Sequence, residues 1–69
     1  MHPIGTLVYV SNSGGAIPYK EIYDVRVEYP LVIPYGSLGI ITEPHITRSR
    51  VAFPTSHGWI PNNFLSIVR

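Results

Sequence analysis

Proline and glycine interrupt this chain so often that a long helix has no room to form. Seven prolines and six glycines are distributed over 69 residues, and both residue types disfavour a helix interior. No apolar stripe with the 3.6-residue period of a helix extends over a useful length. Short strands joined by turns remain, and we therefore expect an all-β fold.

The length limits the chain to one domain, residues 1–69. Because the chain has no cysteine, it can form neither a disulfide nor a thiolate metal site. Its stability must then come from a compact barrel or from assembly with other chains. A composition of 45% hydrophobic and 13% charged residues indicates a folded domain. So few charges leave two alternatives open: apolar surface that a partner covers, or the ordinary exposed apolar area of a small protein.

Charge and hydropathy also limit the location and the partners. The formal net charge of +1 lacks the basic stripe that is typical of nucleic-acid binding. No apolar run approaches the ~18 residues of a membrane span, and the first residues do not resemble a secretory signal. The absence of cysteine fits a reducing compartment. We therefore expect a cytoplasmic protein with no membrane association.

Alternating and β-branched runs predict five or six short strands. The predicted strands comprise residues 6–11, 22–29, 38–43, 48–53, 59–60 and 66–68. Turns are expected at 12–15 and 54–58, and residues 31–33, which lie between two prolines, suit an edge or a crossing segment. Gly39 indicates a bulge or a close approach of another backbone. Pro61 suits the first position of a single 3₁₀ turn.

The strand faces predict the core. Val51 and Phe53 should point inward and Arg50 outward, since side chains alternate along a strand. We expect Phe53 and Trp59 to pack in one core with six aliphatic residues: Val27, Ile40, Ile41, Val51, Ile60 and Ile67.

Three segments carry a resemblance to known families. The run Gly-Trp-Ile-Pro-Asn-Asn-Phe-Leu at 58–65 resembles the Gly-Trp-Phe/Ile-Pro-Ser-Asn-Tyr-Val segment near the end of SH3 domains. Residues 22–25, Ile-Tyr-Asp-Val, resemble the Ala-Leu-Tyr-Asp-Tyr opening of that family. Residues 36–41 are similar to the Gly-x-x-Gly-x-Val/Ile turn and strand of KOW-type barrels. Both resemblances imply a small SH3-like barrel of five or six short strands with one 3₁₀ turn.

The SH3 resemblance also implies a binding groove. In that family, polyproline peptides lie on aromatic rings and on the proline of the motif, which match Pro61 and Phe64 here, with Tyr23 as an addition. The chain departs from the family because Phe64 lacks a hydroxyl, no tryptophan lies near Arg50 and no acidic loop is evident. The alternative is that Trp59, Ile60 and Pro61 have a purely structural role.

The polar residues predict no catalytic, cofactor or metal site. His2, His45 and His57 are far apart in sequence and form no ligand pair. Ser56 and His57 are adjacent, but neighbouring side chains on an extended chain point apart. No carboxylate dyad and no phosphate-binding glycine loop are present. We therefore expect no enzyme.

The expected function is a non-enzymatic protein-interaction or assembly module, such as a small accessory subunit, for example a viral one, of a larger complex. Its partner is another protein chain or a second copy. The predicted partner-binding patch consists of Tyr19, Tyr29, Tyr35, Pro61 and Phe64, because tyrosine suits interfaces.

The alternative is a KOW-like module that binds nucleic acid or the transcription and translation machinery. It would use Lys20, Arg48 and Arg50, with tyrosine rings that stack on bases.

Overall fold

The computed structural model of this protein describes residues 2–20, 22–23 and 32–69. The elements in this part of the chain are β1 (Leu7–Val10), β2 (Leu38–Pro44), β3 (Arg48–Ala52), β4 (His57–Pro61), a 3₁₀ helix (Asn62–Phe64) and β5 (Leu65–Ile67). The all-β prediction is confirmed.

The five strands form one antiparallel sheet in the order β4-β3-β2-β1-β5. Among the described residues the sheet is open, with β4 and β5 as its outer strands. Residues 11–37 connect β1 to β2, and two backbone pairings hold this connection against itself and against the sheet. Ala16 pairs with Ile33, and Tyr19 pairs with Trp59 at the edge of β4 that is not paired with β3.

The observed bounds of β1, β2 and β3 are close to the predicted ones, and three local predictions are corrected. Thr42, not Gly39, lies at the bulge, since the pairing of β2 with β3 shifts between Ile41 and Glu43. Pro61 ends β4 with φ −53° and ψ 134°, and the 3₁₀ helix begins one residue later. His57 already belongs to β4, so the preceding turn is shorter than predicted.

One predicted strand is only partly within the described residues. Ile22 and Tyr23 lie in a turn, and residues 24–29 fall outside the described ranges. Leu31, the first residue of the predicted crossing segment, also lies outside them. Ile33 forms the single bridge to Ala16, which fits a crossing segment better than a continuous strand.

The core lies on one side of the sheet and is closed by the β1–β2 connection and the end of the chain. Phe64 packs against a cluster of nine buried residues: Val8, Val10, Ala16, Ile33, Ile41, Val51, Phe53, Ile60 and Leu65. The predictions for Ile41, Val51, Phe53 and Ile60 are confirmed, as is the outward position of Arg50.

Three other core predictions are corrected, and Val27 lies outside the described residues. Ile40 is 48% exposed because it adjoins inward-facing Ile41, and successive strand residues face opposite sides. Ile67 is 43% exposed at the end of the outer strand β5. Trp59 is buried but lies opposite Arg50, on the face away from the core cluster.

The helix found in the described part of the chain is a three-residue 3₁₀ turn, and no helix there has the length and apolar character to cross a membrane.

Candidate functional site

The end of β4 and the 3₁₀ helix present the first side of a groove. Pro61 has no backbone N–H and a fixed φ, so the strand ends there and the chain turns. The 3₁₀ turn that follows places Phe64 partly on the surface and partly against the core. Leu65 then enters β5 with its side chain buried. Two apolar rings thus lie at the same end of the sheet.

The β1–β2 connection provides the other side. Asn12 closes a turn in which its side-chain Nδ2 donates to the Gly15 carbonyl at 2.6 Å, and the Gly15 N–H donates back to the Asn12 carbonyl at 2.9 Å. Gly15 has φ +77°, and a Cβ there would lie 2.6 Å from the Ile33 carbonyl oxygen. Glycine is therefore required for the close approach that forms this wall.

Together these segments form a concave surface, which we call the Pro61 groove. Its volume is about 220 Å³, and it is lined by Gly14, Gly15, Ile17, Tyr19, Val32, Pro61 and Phe64. Among the described residues that line it, none carries a formal charge. The volume is below the ~300–1,000 Å³ of most small-molecule pockets.

The groove brings together three of the five residues predicted for partner binding: Tyr19, Pro61 and Phe64. Tyr35 is 62% exposed in a separate turn and does not line the groove, and Tyr29 lies outside the described residues. Tyr23, which the SH3 resemblance added, is 87% exposed and is not part of the lining either.

Sequence reasoning missed the apolar and glycine residues of the groove. Ile17 and Val32 line it, but Ile17 is followed at once by a proline and Val32 lies in a run of only three apolar residues between two prolines, so neither belongs to a periodic pattern. The Asn-Ser-Gly-Gly run at 12–15 predicts a turn but does not by itself predict the wall of a groove. Two adjacent glycines before an apolar-proline pair were the available signal for a close backbone approach.

Arg48 and Arg50 share the outer face of β3, as predicted. Arg48 lies opposite Pro61 and Arg50 opposite Trp59. The guanidinium carbon of Arg48 is 5.0 Å from the centre of the Tyr19 ring, within the range of a cation–π contact. Arg50 is exposed and lies opposite Glu43 on β2. Lys20, the third residue of the alternative nucleic-acid patch, is exposed beside Tyr19.

Asn62 fixes the 3₁₀ helix against the loop between β2 and β3. Its Nδ2 donates to the carbonyls of His45 at 2.9 Å and Ile46 at 3.1 Å, and its backbone N–H donates to the Thr47 carbonyl at 2.9 Å. The buried Ser49 hydroxyl donates to Asn62 Oδ1 at 2.6 Å. This network holds the segment that carries Pro61 and Phe64.

The histidines remain separate within the described part of the chain. His45 packs edge-on against Trp59, with ring centres 6.2 Å apart, and His57 begins β4. No group of three His, Cys, Asp or Glu side chains that could hold a metal ion occurs among the described residues.

Comparison with known proteins gives no match: no family model, no curated protein and no solved structure resembles this chain closely enough to relate it to a family.

Proposed function

We propose that this protein is a non-enzymatic protein-interaction module that binds an extended apolar segment of another chain in the Pro61 groove. The observation that carries the proposal is the convergence of Tyr19, Pro61 and Phe64 on one uncharged concave surface. Rings that combine a large contact area with few rotatable bonds favour peptide binding. On this proposal the protein is an accessory subunit of a larger cytoplasmic complex.

We further propose that the architecture is a small SH3-like barrel. Two observations support this. Residues 58–65, which resemble the SH3 segment, form the end of β4, the 3₁₀ helix and the start of β5, in the order that the resemblance implies. The first and last strands are also neighbours in the sheet, which suits a sheet that curls toward closure.

A groove for an extended segment needs rigid walls, because ordering the protein on binding reduces affinity. Both walls of the Pro61 groove are held by hydrogen bonds. The Tyr19 and Trp59 backbones exchange two bonds of 3.0 and 2.9 Å, and Asn62 holds the 3₁₀ helix. The binding surface is therefore preorganised.

The test compares two truncations of the same residue type. A displayed library of apolar, proline-containing peptides is selected against the full chain, and the affinity of the selected peptide is measured by titration. Tyr19→Ala should weaken binding at least ~10-fold, which corresponds to ~1.4 kcal/mol. Tyr35→Ala removes an exposed ring outside the groove and should leave the affinity unchanged.

The second candidate function is nucleic-acid binding, which the shared face of Arg48, Arg50 and Trp59 favours. A single-stranded oligonucleotide provides the competing probe, and its binding should weaken steeply with salt if phosphates are neutralised. Oligonucleotide binding that Arg50→Ala abolishes, together with no selectable peptide, would replace the peptide proposal. Equal effects of the two tyrosine truncations on peptide binding would also reject the groove.

A further inference from the structure

An open hollow lies beside the turn between β3 and β4, on the face of the sheet away from the core. Its volume is about 520 Å³, which is within the ~300–1,000 Å³ of most small-molecule sites. We call it the Arg50 hollow, and its lining includes Thr42, Arg50, Ala52, Pro54, Thr55 and His57. None of the residues that line it also lines the Pro61 groove, so the two are separate candidate sites.

The strand register places two basic side chains on one face. Arg50 and Ala52 alternate with buried Val51 along β3, so both point away from the core. His57 lies opposite Ala52, and residues directly opposite each other on paired strands share a face. Arg50 and His57 are therefore diagonal neighbours. Ala52 lies between them, and its short side chain leaves the space above it open.

The bulge in β2 brings Thr42 to the rim of the hollow. Burial alternates along β2 as far as Ile41, but Thr42 and Glu43 are both exposed, because the pairing shifts between Ile41 and Glu43. Thr42 Oγ1 donates to the Arg50 carbonyl at 3.2 Å. This bond uses the hydroxyl proton, so Thr42 positions the backbone of Arg50 and leaves the guanidinium to bind a ligand.

The charge of the hollow selects a negative ligand. Among the described residues, the Arg50 guanidinium makes no hydrogen bond and no ion pair, and a guanidinium stays charged at any pH at which proteins are studied. Glu43 lies opposite Arg50 in the register but does not line the hollow, and no other carboxylate lines it. The lining therefore has a positive charge that no lining residue neutralises.

Hydroxyl groups at the turn add hydrogen-bond donors. Thr55 is exposed at the tip of the turn, which the Phe53 N–H closes by donating to the Ser56 carbonyl at 2.7 Å. Ser56 also lines the hollow, and its Oγ is buried without a hydrogen-bond partner among the described residues. Because buried hydroxyls are nearly always bonded, a ligand with acceptor oxygens would supply the missing partner.

We propose that the Arg50 hollow binds the phosphate group of a small phosphate monoester. A guanidinium is a planar fork that matches two phosphate oxygens, and the His57 imidazole and the Thr55 hydroxyl supply further N–H and O–H donors. The organic part of the ester lies on Ala52 and Pro54, which are apolar. A volume that suits a small molecule favours an ester over the much smaller free anion.

The experiment follows amide chemical shifts of the full chain during titration with phenyl phosphate and, separately, with inorganic phosphate, at constant ionic strength. Shifts at Arg50, Thr55 and His57 should saturate. Phenyl phosphate should bind at least ~3-fold more tightly, because its ring buries apolar surface. Arg50→Gln should weaken binding at least ~10-fold. The control is Lys20→Gln, which removes the same charge at an exposed position outside the hollow and should leave the affinity unchanged.

A second variant protects the test against misfolding. If Arg50→Gln loses its dispersed amide signals, His57→Gln replaces it and should weaken binding at least ~3-fold. Shifts that do not saturate overturn the proposal, as does equal weakening by the hollow variant and by Lys20→Gln. Equal affinities for the two probes would overturn the assignment to an ester and leave the free anion as the ligand. The Tyr19→Ala peptide titration involves none of these residues, so the two proposals can fail separately.

Discussion

Gly39 sets the distance between β2 and the side chains beneath it. A Cβ at this position would lie 2.5 Å from Val51 Cγ1 and 2.9 Å from the Phe53 ring. Both neighbours are buried and cannot move freely, and overpacking of a core costs ~1–3 kcal/mol. Gly39→Ala should therefore lower the free energy of unfolding by that amount, as measured by urea denaturation.

Gly14→Ala is the matched control for this substitution. Its Cβ would have only Asn12 Nδ2 within 4 Å, at 3.6 Å, which is an ordinary contact, and its φ is not positive. The free energy of unfolding should change by no more than ~0.5 kcal/mol. Equal urea midpoints for the two alanine variants would show that the core under β2 tolerates an added methyl group.

At the scale of elements, Asn62 joins the 3₁₀ helix to the β2–β3 loop and to β3. Asn62→Ala removes the acceptor of the buried Ser49 hydroxyl and two bonds to loop carbonyls. An unsatisfied buried hydroxyl costs ~1–3 kcal/mol, so we expect a loss of that size in thermal or urea unfolding. Asn63→Ala, at the exposed neighbouring position, should change stability by less than ~0.5 kcal/mol.

A double variant isolates the hydrogen bond itself. Once Asn62 is alanine, Ser49 Oγ no longer has this acceptor, so Ser49→Ala should cost less in that background than in the unaltered chain. Residues in one network typically couple by ~0.5–3 kcal/mol. Strictly additive losses would mean that the 2.6 Å contact contributes nothing to stability.

The elements also show which parts of the fold the sequence determines locally. β1, β2 and β3 lie within about a residue of their predicted bounds, because alternation and breakers act over a few neighbours. Ile40 and Ile41 are equally apolar, so only the sheet decides which of them faces inward. The Ala16–Ile33 and Tyr19–Trp59 pairings join residues far apart in sequence, and no local pattern marks them.

The difference between local patterns and long-range pairings also explains which residues of the groove the sequence could predict. Pro61 and Phe64 belong to one short motif that predicts both for the partner-binding patch, and both line the Pro61 groove. Tyr19 is predicted from its residue type and from its place beside a proline and a loop, whereas Ile17 and Val32 reach the groove only through the path of the β1–β2 connection. Tyr35 is also a tyrosine, but it does not line the groove. It lies in the turn that precedes β2, where Gly36 has φ +86°.

For the whole molecule, the decisive quantity is the small free energy of unfolding expected of a 69-residue chain. Such a chain buries only roughly 60% of the surface of its unfolded state. Phe53 is 8% exposed, belongs to the core cluster and also lines two surface hollows together with Leu38 and Pro54. Its side chain therefore supports the core and shapes the outer surface at once.

Phe53→Ala should consequently unfold the protein. Truncation of a buried phenylalanine costs ~3–5 kcal/mol, which approaches the lower end of the ~5–15 kcal/mol stability of whole domains. Dispersed amide signals in the NMR spectrum should be lost at room temperature. Tyr23→Ala removes a ring that is 87% exposed and should keep the dispersion unchanged. A well-dispersed spectrum of Phe53→Ala would show that the fold does not depend on this ring and that the assignment of Phe53 to the core is wrong.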